Sequence, residues 1–420
     1  MNSSRHQCDV LIVGAGPAGL AAAWRVTQSG REATVVDDNP DPGGQIWRGE
    51  GKKLSSSQAA LWFDRIRNSS IRFINGARVY QHSGPGLLFA ESEKEVFELS
   101  YEKAILATGA RERFLPFPGW TLPNVMGAGG LQALVKGGLP VDEKRVVLAG
   151  SGPLLLAVAD YLRRSGANIL LIAEQSPWVK LARFGLSLLG QSSKRSQAFG
   201  LKRQLAGVKY LSGCWPIVAS GQDKVESVTM RQGSRTWDVE CDYLACGFHL
   251  VPNLELPQLL SCRIENGSVV VDDFQQTSIA NIYCAGEGTG IGGLELSLVE
   301  GEIAGLAAAG HEQTARALFS ARDKQRKFAN TLNRAFELRS ELKNLAMDET
   351  IVCRCEDVKV SQLKPSDSWR AAKLHTRCGM GPCQGRICGA AVEFLFGWKV
   401  ESVRPPAFAV RVESMTQGSK

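Results

Sequence analysis

Residues 9–23, DVLIVGAGPAGLAAA, decide the fold. Asp9 to Val13 is a short apolar, β-branched run that reads as a buried strand. A glycine turn follows, then an alanine-rich stretch, Pro17 to Ser29, that predicts a helix. Gly14, Gly16 and Gly19 stand in G-x-G-x-x-G spacing. Gly14 permits the tight turn, Gly16 lets a pyrophosphate approach the backbone, and Gly19 lets helix and strand pack closely. Pro17, Ala18 and Gly19 open the helix, whose free N–H groups and positive dipole end suit phosphate. The next strand, 33–37 (ATVVD), ends in Asp37, eighteen residues beyond Gly19, with Asp38 beside it. A carboxylate there can accept hydrogen bonds from ribose hydroxyls. Strand, glycines, helix and acid together predict a dinucleotide site.

The rest of the chain is organised around that unit. At 420 residues it is long enough for two or three domains, and 44% hydrophobic with 22% charged residues is ordinary globular composition. A helix is expected over 57–68, a small meander over 77–81, 86–90 and 95–99, and a strand over 103–107. A second β-turn-α unit starts with strand 145–149, helix 153–165 and strand 168–173. Further strands are expected at 224–231, 235–240, 242–246 and 280–284, a helix over 294–309, and a long polar helix over 313–343. The tail from 401, with Pro405 and Pro406, reads as extended. These signals divide the chain into a first dinucleotide-binding part (1–120), a second nucleotide-binding domain (121–265), a return segment with the long helix (266–345), a cysteine module (346–400) and a tail.

The net charge of +7 is spread along the chain, densest over 311–343 with Glu interleaved, which reads as a solvated helix face and not a nucleic-acid patch. No run of 18 apolar residues suggests a membrane span. Eleven cysteines, an odd count without a secretory signal, fit a reducing cytoplasm better than a disulfide framework. The part before residue 346 has no C-x-x-C, and its one C-x-x-x-x-C, Cys241 to Cys246, lies along a predicted strand, which argues against disulfide-reductase chemistry.

The second unit, VVLAGSGPLLLAVADYLRRSGA (146–167), has Gly150 and Gly152 but Leu155 at the third glycine position. Its second strand leads to Glu174, and no Arg stands there for a 2′-phosphate. An NAD(H) site, an adenine-nucleotide site without redox role and an empty scaffold all remain open.

Residues 351–389 carry Cys353 and Cys355 (C-x-C), Cys378 and Cys383 (C-x-x-x-x-C), and Cys388. Four thiolates from two short loops suit a [2Fe–2S] cluster; a zinc knuckle or metal-free thiols are the alternatives. Residues 384–396 read as a helix, on which Cys383 and Cys388 would point about 140° apart, so Cys388 is expected to be the spare thiol. Gly379, Gly381 and Pro382 keep the second loop tight. The five histidines (His6, His82, His249, His311, His375) form no acid–base constellation; His249 reads as structural, and His375 lies three residues before Cys378.

AILATGARER (104–113), with Thr108 and Gly109, and IYCAGEGTGIGG (282–293), with Gly286 and Glu287, are each a strand entering a glycine turn. Together with DDNPDPGGQIWR (37–48), carrying Gly43, Gly44 and Gln45, they resemble the two-dinucleotide-binding-domain flavoproteins. That resemblance implies FAD, with Glu287 replacing the usual Asp near the ribityl or pyrophosphate group, and the 43–45 loop approaching the flavin. The cysteine module resembles the bacterioferritin-associated-ferredoxin-like [2Fe–2S] domain. ATGARERFLPFPGWTLPNVM, CAGEGTGIGG and CRCED…TRCGMGPCQGRICG extend the resemblance, over residues 8–405, to the FAD-containing alpha-type subunits of heteromeric amino-acid dehydrogenases. D-Hydroxyproline dehydrogenase, opine oxidase and hydrogen cyanide synthase belong to that group. It implies an electron relay beside an amino-acid-oxidase-like flavin beta subunit, with room for a small ferredoxin-like third member and for a peripheral membrane or quinone link. Within the group the compact chain is expected to serve cis-4-hydroxy-D-proline, ahead of opines and glycine. The competing functions are a self-sufficient NADH:acceptor reductase and a non-catalytic assembly protein.

Overall fold

A computed structural model of the chain describes residues 2–49, 57–188, 199–201, 203–400 and 403–417. Two compact units emerge: Met1–Arg111 with Val251–Asn330 and Glu401–Lys420, and Glu112–Leu250 with Thr331–Val400.

In the first unit the strand Asn2–Val13 runs parallel between Ala33–Asp37 and Glu95–Leu106. Arg72–Asn75 adds beyond Ala33–Asp37, and Ile282–Cys284 beside Glu95–Leu106, both parallel. Val13 is in register with Val36 and with Leu106, so the strands end together at one edge. The meander is present as Arg78–His82, antiparallel to Leu87–Glu91, which is in turn antiparallel to Glu95–Leu106. The expected strands at 95–99 and 103–107 are one continuous strand. Phe97, Leu99 and Tyr101, on one face, stay buried into the predicted gap, so nothing ends the ladder there.

The helix Pro17–Gln28 packs on Leu294–Ala308, and glycines set how closely. A Cβ on Gly301 would sit 2.2 Å from the Ala18 carbonyl oxygen, and one on Gly305 2.4 Å from that of Ala22. Leu294–Ala308 is buried along most of its length, even though it carries Glu295, Glu300 and Glu302. Val10, Ile12, Leu20 and Val35 are all but fully buried here; each contributes roughly 1.5–3 kcal/mol. The tail is not simply extended. It forms a helix, Val412–Gln417, held to the meander where Tyr80 Oη donates to the Ser414 carbonyl at 2.9 Å.

The second unit has a five-stranded parallel sheet in the order Lys209–Ser212, Asn168–Glu174, Arg145–Ser151, Tyr243–Phe248, Val125–Gly127. A three-stranded antiparallel sheet, Cys214–Ser220, Ser227–Gln232 and Arg235–Glu240, accompanies it. The predicted helix over 313–343 is broken. Helices Glu312–Arg316 and Phe319–Ala335 are followed by non-helical Phe336–Arg339 and a 3₁₀ turn, Ser340–Asn344. Hydrogen bonds from elsewhere in the unit, described below, capture the backbone of 336–339.

The cysteine module closes this unit. The strands Ile351–Cys353 and Val358–Lys359 pair antiparallel, and helices Trp369–Thr376 and Cys388–Phe396 cover them. Val352, Val358, Leu363, Trp369, Ala372 and Val392 form its small core. Among the described residues no helix is long and apolar enough to cross a membrane.

Candidate functional site

The first glycine turn is built as its spacing predicts. Gly14 has φ +110°, and a Cβ on it would meet the Ala107 carbonyl oxygen at 2.2 Å. A Cβ on Gly19 would meet the Gly14 carbonyl oxygen at 1.8 Å. Gly16 differs: its φ is −74°, and a Cβ would meet nothing within 4 Å. Neither backbone strain nor packing requires a glycine there, so the opening suits a group brought close to the backbone.

Other loops converge on this turn. Gly43 N–H donates to the Ala15 carbonyl at 2.8 Å, and a Cβ on Gly44 would lie 2.9 Å from Gly16 Cα. Gly286 lies against Ala18 in the same way. The Asp37 carboxylate accepts from Ala15 N–H at 2.5 Å on one oxygen, and from Asn39 N–H and Nδ2 at 2.7 Å on the other. It therefore fixes the turn as well as offering remaining lone pairs to a ribose. Asp38 is exposed and paired with Arg78, while Gln45 is exposed. Thr108 Oγ1 donates to the Asn253 carbonyl at 2.9 Å, Asn253 N–H donates to the Gly109 carbonyl, and Arg111 donates to Asn253 Oδ1 at 2.8 Å. Asn253 had no local motif to reveal it, while Arg111 lies inside the quoted stretch 104–113.

Glu287 accepts from Gly292 N–H at 3.2 Å and Gly293 N–H at 2.9 Å, and so holds the start of helix Leu294–Ala308. Burial pushes its carboxyl up to about 7 against the lowering effect of those N–H groups. Beneath it, buried Glu300 accepts from Gly286 N–H, Thr289 Oγ1 and Arg326. A carboxylate is tolerated there because every side of it is bonded. Nothing in the sequence singled it out from Glu295 and Glu302 in the same helical run. These residues fit an FAD: an open glycine cradle, a helix start and converging loops. Bound FAD would supply a carrier able to take electrons in pairs and release them singly.

The second glycine turn differs from the first in its third glycine position and in the depth at which its acid is buried. Glu174 is 1% exposed and accepts from Gly152 N–H and Ser176 N–H, each at 2.8 Å. Leu155, 1% exposed, fills the third glycine position. Pro153 offers no N–H, and Leu155 N–H is spent on the Gly152 carbonyl.

In the cysteine module the Sγ atoms of Cys353, Cys378 and Cys388 lie within 4.8 Å of one another. Cys355 and Cys383 approach to 3.8 Å, nearer the surface. The expectation that Cys388 stands apart needs correction. Gln384 and Gly385 have φ of 49° and 80°, so the helix cannot start until Cys388, and Cys383 belongs to the preceding turn. The 140° argument therefore does not apply. The missed signal was CQGRIC, which repeats the C-x-x-x-x-C spacing from Cys383 to Cys388. Hydrogen bonds from the Cys378 and Cys388 thiols, aided by Gly379 N–H, hold Cys353 far below the usual thiol range. A Cβ on Gly381 would meet Cys355 Cβ at 2.3 Å, so that glycine permits the loop to close. Three grouped thiols, with a second pair in the same small module, fit a thiolate-held cluster. By contrast Cys214 and Cys241 are single buried thiols pushed up to about 12 by desolvation, which keeps them unreactive. His375 is exposed, and burial lowers the pKa of His249, whose Nδ1 accepts from Leu250 N–H.

Residues 8–313 match the family described as pyridine nucleotide-disulphide oxidoreductase, and the chain belongs to that family of flavoprotein oxidoreductases. Two particular relatives share most of its length. The HcnB subunit of hydrogen cyanide synthase from Pseudomonas protegens is 30% identical over 90% of this chain and 89% of its own. The A subunit of opine oxidase from Agrobacterium tumefaciens is 32% identical over 94% and 87%. Among solved structures, L-proline dehydrogenase from P. horikoshii superposes with a TM-score of 0.71 at 18% identity, covering 99% of this chain and 80% of that one, a likeness of fold.

Proposed function

We propose that the chain is the FAD- and [2Fe–2S]-containing electron-relay subunit of a heteromeric amino-acid dehydrogenase. The observation that carries this is the pairing, in one chain, of an open dinucleotide cradle at Gly16 with a module holding a group of three thiols and a further close pair. Oxidation of a CH–NH bond to an imine releases two electrons and two protons. A [2Fe–2S] centre accepts one electron at a time, so a flavin beside it is the natural converter. The relatives are subunits of oxidising enzymes, which supports a partner that binds the amino acid. We assign that partner as an amino-acid-oxidase-like flavin protein, with a small ferredoxin-like protein as an optional third member, and place the complex in the cytoplasm. The proposed substrate is cis-4-hydroxy-D-proline. Anaerobic titration of the holoprotein with dithionite should consume about three electrons per chain, two by flavin and one by cluster. Uptake of two or fewer would overturn the two-centre relay.

For the cluster we propose Cys353, Cys355, Cys378 and Cys383 as ligands, with Cys388 able to replace Cys378, because both lie beside Cys353. Serine at Cys353, Cys355 or Cys383 should remove the iron and the EPR signal. Cys378→Ser and Cys388→Ser should each retain iron, and the double variant should lose it. Iron loss in Cys378→Ser alone would make Cys378 obligatory. Stoichiometric zinc without iron after anaerobic purification would refute the assignment.

A further inference from the structure

We propose that the second dinucleotide-type unit takes no nucleotide, because the chain's own segment Phe336–Arg339 is strapped across the place where one would bind. The unit serves instead as the anchorage of the cysteine module. This goes beyond the relay reading and stands whether or not that reading holds.

In a β-turn-α unit the pyrophosphate lies over the glycine turn at the helix start, and the ribose lies at the end of the second strand. Here those places are Gly150–Gly152 and Glu174–Ser176. Ser151, in the turn, is 4% exposed, and its hydroxyl donates to the Phe336 carbonyl at 2.7 Å. Gln175, just past the second strand, is fully buried. Its Nε2 donates to the Glu337 carbonyl at 3.2 Å and to Ser151 Oγ at 2.9 Å, while its Oε1 accepts from Arg339 N–H at 3.1 Å. The strap is thus bonded to both strand ends at once, which is the path a dinucleotide would follow. The Phe336 ring meets Phe184 edge-on with centroids 5.5 Å apart, and Lys180 pairs with Glu337 at 3.3 Å. The acid that would hold a ribose, Glu174, is turned inward onto Gly152 and Ser176 N–H. Space remains beside Gly152, but the ribose-end groups are already engaged.

The strap leads somewhere. Leu342 and Leu345 follow it into the core of this unit, and Trp120 Nε1 donates to the Ile351 carbonyl at 2.6 Å, two residues before Cys353. The strap held by Ser151 and Gln175 thus leads directly into the segment that anchors the cysteine module.

Two measurements test this on the holoprotein saturated with FAD. Calorimetry with NADH should give no saturable binding, and excess NADH should leave the flavin oxidised over minutes. The second measurement is limited proteolysis of 336–345 together with iron content. Removing strap hydrogen bonds in Ser151→Ala/Gln175→Ala should speed cleavage by roughly tenfold or more and lower the bound iron, and Ser151→Ala alone should do so to a smaller extent. One NADH bound per chain, or flavin bleached within seconds, would overturn the first half. Wild-type cleavage and iron in the folded double variant would overturn the anchorage.

Discussion

Gly16→Val is expected to yield a folded chain that no longer retains flavin. The backbone at Gly16, with φ −74° and ψ 179°, is open to any residue, and its Cβ position touches nothing within 4 Å. The valine side chain would instead fill the space through which a pyrophosphate reaches the turn. Overpacking of that kind costs roughly 3 kcal/mol, about a hundredfold in binding. Gly14→Ala and Gly19→Ala make the contrast. Their methyl groups would lie 2.2 Å and 1.8 Å from backbone oxygens, so these variants should lose the fold itself. The readings are the ratio of flavin to protein absorbance after gel filtration, and thermal unfolding by circular dichroism. An unchanged flavin ratio in a folded Gly16→Val protein would falsify the assignment of this turn to FAD.

That contrast also explains what the sequence made legible. Gly14 and Gly19 are required by contacts within one β-turn-α unit, so their spacing alone specifies the local structure. The same holds for Leu294–Ala308, whose boundaries were expected within a residue. Features decided by distant partners were not legible. The chain over 313–343 has helical composition throughout, but Phe336–Arg339 is drawn out of the helix by Ser151 and Gln175, more than 160 residues earlier. Asp37 was expected to face a ribose, and the structure adds a second task, holding Ala15 and Asn39, that no motif announces. Cys388 was misjudged for a local reason. A helix was extended back through Gln384 and Gly385, whose positive φ values exclude it, and the thiol was thereby turned away from its neighbours.

The second large effect is expected in turnover. The purified chain alone should not oxidise an amino acid with an artificial dye as acceptor, and the complex with its flavin partner should. Binding a zwitterion and removing its proton need a positioned base and charged anchors. The histidines of this chain do not provide the base: His249 is bonded to its own backbone and kept neutral by burial, and His375 faces solvent. The converging groups around the first turn, Asp37, Thr108, Asn253 and Glu287, are engaged in holding its loops. What the chain does offer is a place for a two-electron carrier and a place for a one-electron carrier, which suffices to pass electrons onward. A positioned reaction site is worth several kcal/mol of barrier, so the complex should exceed the chain alone by roughly a thousandfold or more. Dye-linked activity would be measured for both preparations over cis-4-hydroxy-D-proline, octopine, nopaline and glycine. Robust turnover of any of these by the chain alone would place the amino-acid site on this polypeptide and end the division of labour. Turnover by the complex with octopine, nopaline or glycine, but not with hydroxyproline, would replace the substrate and leave the relay standing. The Cys353→Ser complex separates the two roles further. On the proposed relay, the partner's flavin should still be reduced by the amino acid, while transfer to the final acceptor should stop.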